Sequence, residues 1–329
     1  MIIDIHTHTF CPEVVGKVAG TIGPDSVPYQ RDMSPESRAR EDEVKPDLAV
    51  KFNNLDRRRA DMAAAGIDFQ AVATAPGLQH YWAAPALLAE ISRMQNDHVA
   101  ALVAQSPDTM AAIGTLPLTD TDASVEEIAR AKSLGIRAFQ IDSRCLEREL
   151  SHPSLDPIYG ALERHGLGLM IHPLGFSHGQ RLSPYFMINS IAQPLEEVIA
   201  FQHLIFGGVM DRHPDLRVYI AHGGGYAPFY IGRLDHAWKA RPEVNRLLPA
   251  APSTYLPRFY YDTCVFRPDH IETLVGLVGA DRVMLGSDYP FDMSDPDPVG
   301  TLDATSLSAA DKDLIKSTVA RRFLELEPD

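Results

Sequence analysis

Short β-branched and apolar runs recur along the chain, and longer stretches with helical periodicity separate them. The runs are IIDIH (2–6), FQAVATA (69–75), AAIGTLP (111–117), IRAFQID (136–142), GLGLMIH (166–172), LRVYIAH (216–222), FYYDT (259–263) and RVMLGSD (282–288), eight in all. Between them lie amphipathic segments such as LDRRRADMAAAG (55–66), PALLAEISRMQNDHVAALVAQSP (85–107), SVEEIARAKSLG (124–135), LDPIYGALERHG (155–166) and HIETLVGLVGA (270–280). Several stop at Gly, the residue that best tolerates the left-handed turn closing a helix. Eightfold alternation of strand and helix predicts an α/β chain folded as a distorted TIM (β/α)8 barrel, ahead of an open doubly wound sheet.

Two stretches interrupt the rhythm. Residues 11–50 are rich in Pro, Gly and charge and form an insertion after the first strand, read as a lid or a solvated loop. Residues 173–196 read as a second long loop, after the fifth strand. No repeat or composition shift divides the chain, so one domain is expected over 1–329.

The 329 residues, 45% hydrophobic and 22% charged, suffice for a large core. A formal net charge of -14 argues against nucleic acid and anionic membrane surfaces as partners, but not against small carboxylates met by local arginines. Three scattered cysteines (Cys11, Cys145, Cys264) offer no disulfide framework and read as reduced, buried thiols. MIIDIHTH has no basic n-region and no long apolar core, and no apolar stretch reaches membrane-spanning length, so a cytoplasmic location is expected.

In a barrel of this class chemistry gathers where strands end at their C-terminal side. The first strand ends at His6 and His8, the fifth at His172, the sixth at His222 and the eighth at Asp288. One strand-end histidine is ordinarily structural; four, with an aspartate, point to a metal. Imidazole and carboxylate suit Zn2+, with Mn2+ as the alternative. Three nitrogens and one oxygen would leave a position for water, with its pKa lowered to about 7, and the fourth histidine could move a proton beside it. The fourth strand ends in FQIDSR, without a lysine to bridge a second metal, so one ion per chain is expected. His152, His165 and His213 stand in helix-end or loop settings and read as solvent-facing. His80, Tyr81 and Trp82 follow the second strand, and His178, Arg181 and Tyr185 follow the fifth; these are candidates to touch substrate. Asp262, closing the seventh strand, is a candidate to orient a ligand histidine.

Taken together, the strand-end residues resemble the amidohydrolase superfamily, from His6 to Asp288. GTLPL (114–118), IFGGVMDRHPDLRVYIAHGGGYAPFYIGRLDH (205–236), YLPRFYYDT (255–263), DRVMLGSDYPF (281–291) and, more weakly, YWAAP (81–85) resemble its aminocarboxymuconate-semialdehyde decarboxylase group. The resemblance implies His6, His8, His172 and Asp288 as metal ligands and His222 as the residue that activates a metal-bound water, with Asp288 also able to carry a proton. It places Arg233 near a substrate carboxylate, reaching into a neighbouring subunit of a homodimer, and Phe291 in the pocket wall. Two departures accompany it. EVKPDLAVKF (43–52) lacks the family's substrate-binding arginine, which Lys45 or Lys51 would replace without its two-pronged grip, and SPYFMINSIAQP (183–194) lacks its tryptophan. The implied reaction is decarboxylation of a small aromatic or muconate-type acid other than the family's namesake substrate. Hydrolysis or hydration of a related lactone or ring-cleavage product is the alternative, and a non-catalytic metal scaffold ranks below both.

Overall fold

The computed structural model describes every residue except 22, 24, 25, 175–178 and 328–329. Eight strands form one parallel sheet in chain order: β1 (Ile3–Thr9), β2 (Phe69–Thr74), β3 (Met110–Thr115), β4 (Ile136–Ile141), β5 (Gly168–Ile171), β6 (Val218–Ile220), β7 (Phe259–Asp262) and β8 (Val283–Met284). The sheet closes on itself beyond β8, through Ile5 N–H to Leu285 C=O (2.9 Å), Asp288 N–H to His6 C=O (2.9 Å) and His8 N–H to Tyr289 C=O (2.7 Å). The eight expected strands are all present, in a TIM barrel whose last strand is only two residues of regular ladder. A small antiparallel hairpin, Arg144–Cys145 with Arg148–Glu149, follows β4.

The helices begin and end where local chemistry directs. Asp120 caps the helix Thr121–Ser133 by accepting from the Ala123 N–H (3.0 Å), and the helix Asp156–His165 stops at Gly166 with φ 63°. The barrel interior is filled by Ile3, Ile5, Met170, Tyr219, Tyr260 and Met284, and its floor is the last helix, Val319–Leu324. Phe323 of that helix lies 5.8 Å from the Tyr219 ring and 5.4 Å from the Tyr260 ring, under Gly168, where a Cβ would come within 2.6 Å of it.

The insertion is largely helical. Pro12–Val18 and Pro28–Asp32 are short helices, and α1 (Pro35–Asn53) runs for 19 residues despite an internal Pro46. Pro35 at its first turn and Ser34, which accepts from Ser37 N–H (3.2 Å), start it. Only Phe52 on α1 is buried, so no apolar stripe announces the helix in the sequence. The loop expected over 173–196 is also shorter than its span: the helix α2 (Ala192–Phe206) begins inside it.

Arg58 joins the insertion to the barrel. Its guanidinium is buried and donates to Gln70 Oε1 (2.8 Å), Phe52 C=O (3.2 Å) and His8 C=O (2.5 Å), and lies 4.9 Å over the Tyr289 ring. Burial lowers its pKa to about 10, which leaves it charged at neutral pH. All three cysteines are buried and free, as their spacing implied. His213, by contrast, does not face solvent: it is buried, with Nε2 3.2 Å from Asp156 and Nδ1 3.4 Å from Glu163.

Candidate metal centre

The register of β1 against β2 shifts between Asp4 and Thr7. Strict alternation would place His6 on the opposite face from Ile3 and Ile5. The irregularity lets Ile5 pack inside the barrel and still brings His6 inside, where its ring lies 6.2 Å from that of Tyr219. His8 follows two residues on, with its ring centroid 5.2 Å from that of His6. His172 leaves β5 5.1 Å from His6 and 5.3 Å from His8, and His222 leaves β6 4.9 Å from His172, again between ring centroids.

Asp288 sits among these rings. Its Oδ1 is 3.1 Å from His8 Nε2 and 3.4 Å from His6 Nε2, and its Oδ2 is 3.6 Å from His222 Nε2. His6, His172, His222 and Asp288 each offer an atom within 4.8 Å of the others, the spacing of donors around one ion. Nitrogens of this group lack a hydrogen-bond partner among the described residues: Nε2 of His6 and of His222, and both ring nitrogens of His172. Buried imidazole nitrogens are ordinarily paired, so this donor set fits a divalent cation. By this spacing His222 rather than His8 completes the group of four, while His8 Nε2 lies against Asp288; the assignment of His8 as a ligand rests on the family resemblance.

The electrostatics agree. Burial holds His172 well below its ordinary value and His8 below it, so both are neutral and able to ligate. Burial alone would raise Asp288, but His6, His222 and His8 outweigh it and keep the carboxylate ionised, well below its usual range.

Two buried carboxylates orient the rings. Asp262 accepts from His6 Nδ1–H (2.8 Å), from the backbone N–H groups of His222 (3.1 Å), Gly223 (2.8 Å) and Cys264 (3.0 Å), and from the Tyr219 hydroxyl. Thus Asp262 has the role expected from its place at the end of β7. It fixes the His6 tautomer so that Nε2 faces the cluster. Glu197, on α2, is the residue that sequence reading missed. Its Oε1 lies 2.5 Å from His222 Nδ1. Burial pushes Glu197 up to about 7 against the pull of His222, while Glu197 and Asp288 overcome burial to hold His222 well above its ordinary value. The dyad depends on Gly225, three residues after His222. Gly225 has φ 58°, and a Cβ there would meet Pro194 C=O at 2.5 Å and Glu197 Oε2 at 2.6 Å. His222 and Asp288 themselves have φ 50° and 65°, uncommon for residues with side chains and typical of functional sites.

The remaining candidates separate into those near the cluster and those away from it. Phe291 lies 5.2 Å from His8 and 5.7 Å from Phe52, so the end of α1 covers one side of the site. Trp82 is half-buried against His80. Arg233 is exposed on α3 (Ile231–Ala240), Arg181 is exposed, and Tyr185 is 90% exposed; none of the three meets the cluster of its own chain. Lys45 is exposed and Lys51 pairs with Asp47 (2.7 Å). His178 lies outside the described residues.

The chain is similar to known proteins over most of its length. The family described as Amidohydrolase matches residues 3–326. A 2-amino-3-carboxymuconate-6-semialdehyde decarboxylase of Dictyostelium discoideum is 33% identical over 287 residues, covering 86% of this chain and 77% of its own length. A gamma-resorcylate decarboxylase of a Rhizobium species is 28% identical over 252 residues, covering 72% of this chain and 77% of its own. A 5-carboxyvanillate decarboxylase structure from Novosphingobium aromaticivorans, with bound manganese and a substituted nitrobenzoic acid, superposes with a TM-score of 0.86 at 26% identity, covering 99% of this chain and 97% of that one.

Proposed function

Given that the chain belongs to the amidohydrolase family, in the group of the aminocarboxymuconate-semialdehyde decarboxylases, we propose that it is a metal-dependent decarboxylase of a small aromatic or muconate-type carboxylic acid. The observation that carries the reading is the convergence of unpartnered histidine nitrogens and Asp288 from four strand ends on one point. His6, His8, His172 and Asp288 would hold one divalent ion, zinc or manganese, whose positive charge would bind and polarise an oxygen of the substrate.

The chain's own residues manage the proton. His222 is an imidazolium with a proton on each ring nitrogen: Nδ1–H is held by Glu197, and Nε2–H is turned toward Asp288 and the cluster. Nε2–H gives its proton to the carbon that bears the carboxylate. The bond to the carboxylate then breaks, its electron pair restores the conjugated system, and carbon dioxide leaves. Protonation comes first because a bare carbanion is too costly, and a placed acid of this kind contributes on the order of a hundredfold or more. Asp288, next to both Nε2 and the cluster, keeps the imidazolium stable and is the alternative proton carrier. Phe291 and Trp82 form apolar walls for the substrate's carbon skeleton.

Arg233 acts on the substrate carboxylate of a partner subunit in a homodimer. Supporting this, Arg233 is exposed on α3 and its sequence neighbour Leu234 lines, with Val198, Gln202, Tyr226, Phe229 and Tyr230, a largely apolar surface groove in which Tyr230 is 63% exposed. In this reading Arg181 and Tyr185 approach the substrate only from the rim. Among the described residues no helix is long and apolar enough to cross a membrane, in keeping with a cytoplasmic enzyme. Carbon dioxide release from a panel of aromatic and muconate-type acids, with elemental analysis of the active protein, tests the reading. His222→Ala should abolish release and keep the metal; His8→Ala should lose both. Turnover of a lactone with no carbon dioxide from any acid would overturn it.

A further inference from the structure

A second concentration of unpaired polar groups lies on the segment that follows β2. Gln79 is 2% exposed and His80 6%. Both amide atoms of Gln79, both ring nitrogens of His80 and the indole Nε1 of Trp82 are buried and lack a hydrogen-bond partner among the described residues. His80 and Trp82 meet edge to face, with ring centroids 5.6 Å apart at 88°. His80 has φ 49°, a conformation uncommon for a residue with a side chain and concentrated at functional sites. Buried polar atoms are nearly always paired, so several on neighbouring residues call for an explanation. In the histidine cluster the same signature marks the groups that would face a ligand.

The segment belongs to the C-terminal face of the barrel. In the β1–β2 ladder His8 pairs with Ala73 and Thr9 with Thr74, so β2 ends beside the strand end that carries the cluster. Gln140 Nε2, on β4, reaches the Thr74 carbonyl at 3.1 Å, and its Oε1 is likewise unpartnered.

We infer that His80, flanked by Gln79 and Trp82, is a specificity-determining residue that hydrogen-bonds a neutral protic substituent, hydroxyl or amino, on the acid that is decarboxylated. The inference rests on the decarboxylase reading for the identity of the acid. A neutral imidazole offers one donor and one acceptor, the indole one donor, and the amide both. Burial pushes His80 down to about 4, so it presents no positive charge at neutral pH and is a poor partner for the carboxylate itself. A hydroxyl or amino group both donates and accepts and satisfies such a pair. An acid with hydrogen at that position leaves the buried atoms unpaired, the situation in which sites discriminate most strongly.

The test uses the full chain loaded with metal, and pairs of benzoic acids that differ by one hydroxyl or one amino group. His80→Leu deletes the polar atoms. His80→Asn keeps a donor and an acceptor and suits the left-handed backbone, and Trp82→Phe keeps a ring without the N–H. Wild type should favour the substituted acid in kcat/KM by about tenfold to a hundredfold. His80→Leu should erase most of that ratio while leaving the unsubstituted acid within about threefold, and His80→Asn should retain it; Trp82→Phe should give a partial loss. Hydroxyl and amino series separate the two kinds of substituent. An equal fall for both members of a pair, or no change in the ratio, would overturn the inference. Calorimetric binding of the same pairs separates it from the reaction. Discrimination that is lost in His80→Leu, with no carbon dioxide from any acid, upholds the wall and removes the decarboxylase reading. Carbon dioxide release with no discrimination by wild type does the reverse.

Discussion

Replacing Glu197 with Gln changes a few atoms in a fully buried position and tests the proton-handling half of the site. In the wild type the carboxylate accepts from His222 Nδ1 at 2.5 Å, which fixes the ring and directs Nε2 toward Asp288, 3.6 Å away. A hydrogen bond to a buried charged partner contributes about 1.5–3 kcal/mol, and tenfold in rate corresponds to about 1.4 kcal/mol. If that bond supports the protonated imidazole as the proton leaves for carbon, Glu197→Gln should lower kcat by roughly tenfold to a hundred-and-fiftyfold. KM should change little, because Glu197 reaches the reacting atoms only through His222. The amide also offers an N–H to Nδ1, which would reverse the tautomer and leave Nε2 with the proton permanently. Loss of the carboxylate removes the largest influence holding His222 above its ordinary value, so the alkaline limb of the kcat profile should move to lower pH. Steady-state kinetics against pH, with melting temperature and metal content as controls, measure this. Paired with His222→Ala, the substitution should add almost nothing further, since the two act as a unit. A kcat within about threefold of wild type in a folded, metal-loaded Glu197→Gln protein would refute the reasoning.

Other consequences follow from the packing. Arg58→Leu strips donors from Gln70 Oε1 and from the Phe52 and His8 carbonyls; a buried acceptor left unsatisfied costs about 1–3 kcal/mol, so the protein should lose about 3–5 kcal/mol in urea unfolding. Because it holds the end of α1 against β1, it should also raise KM. Phe323→Ala opens a cavity beneath Gly168, Tyr219 and Tyr260 and should cost about 3–5 kcal/mol in the same assay. Burial raises Asp4 from 3.8 to about 6, against the pull of Ser287 and the His6 N–H. The folded state therefore binds this proton more tightly, and the resulting stability, about 3 kcal/mol, is full below pH 3.8 and lost as the pH climbs through 6. The stability of wild type relative to Asp4→Asn should fall by about that amount between these limits, measured by unfolding both proteins across the pH range.

What the sequence discloses here follows the physics of each signal. The eight strands are legible because a parallel strand buried on both faces is a continuous apolar run, and His6, His8, His172, His222 and Asp288 are legible because such runs end at them. Helix α1 is not, since a helix with one buried residue has no periodic face and its charge and Pro46 read as loop. Phe323 is silent because its importance lies in plugging a barrel floor built by distant strands. Glu197 is the most instructive case. In sequence it is one acid in LEEVIA on an amphipathic helix, where a solvated charge is the ordinary expectation. Its role comes from a 25-residue separation closed by the fold and from Gly225, which makes room for its carboxylate. Local pattern can nominate groups that chemistry needs in quantity, such as clustered ligands. A lone partner that tunes one of them emerges only when buried charges are followed to whatever neutralises them. By the same reasoning His80 stands out only once the hydrogen bonds are counted. In sequence it is one of three rim candidates with Tyr81 and Trp82, and what singles it out is that its two buried nitrogens have no hydrogen-bond partner among the described residues.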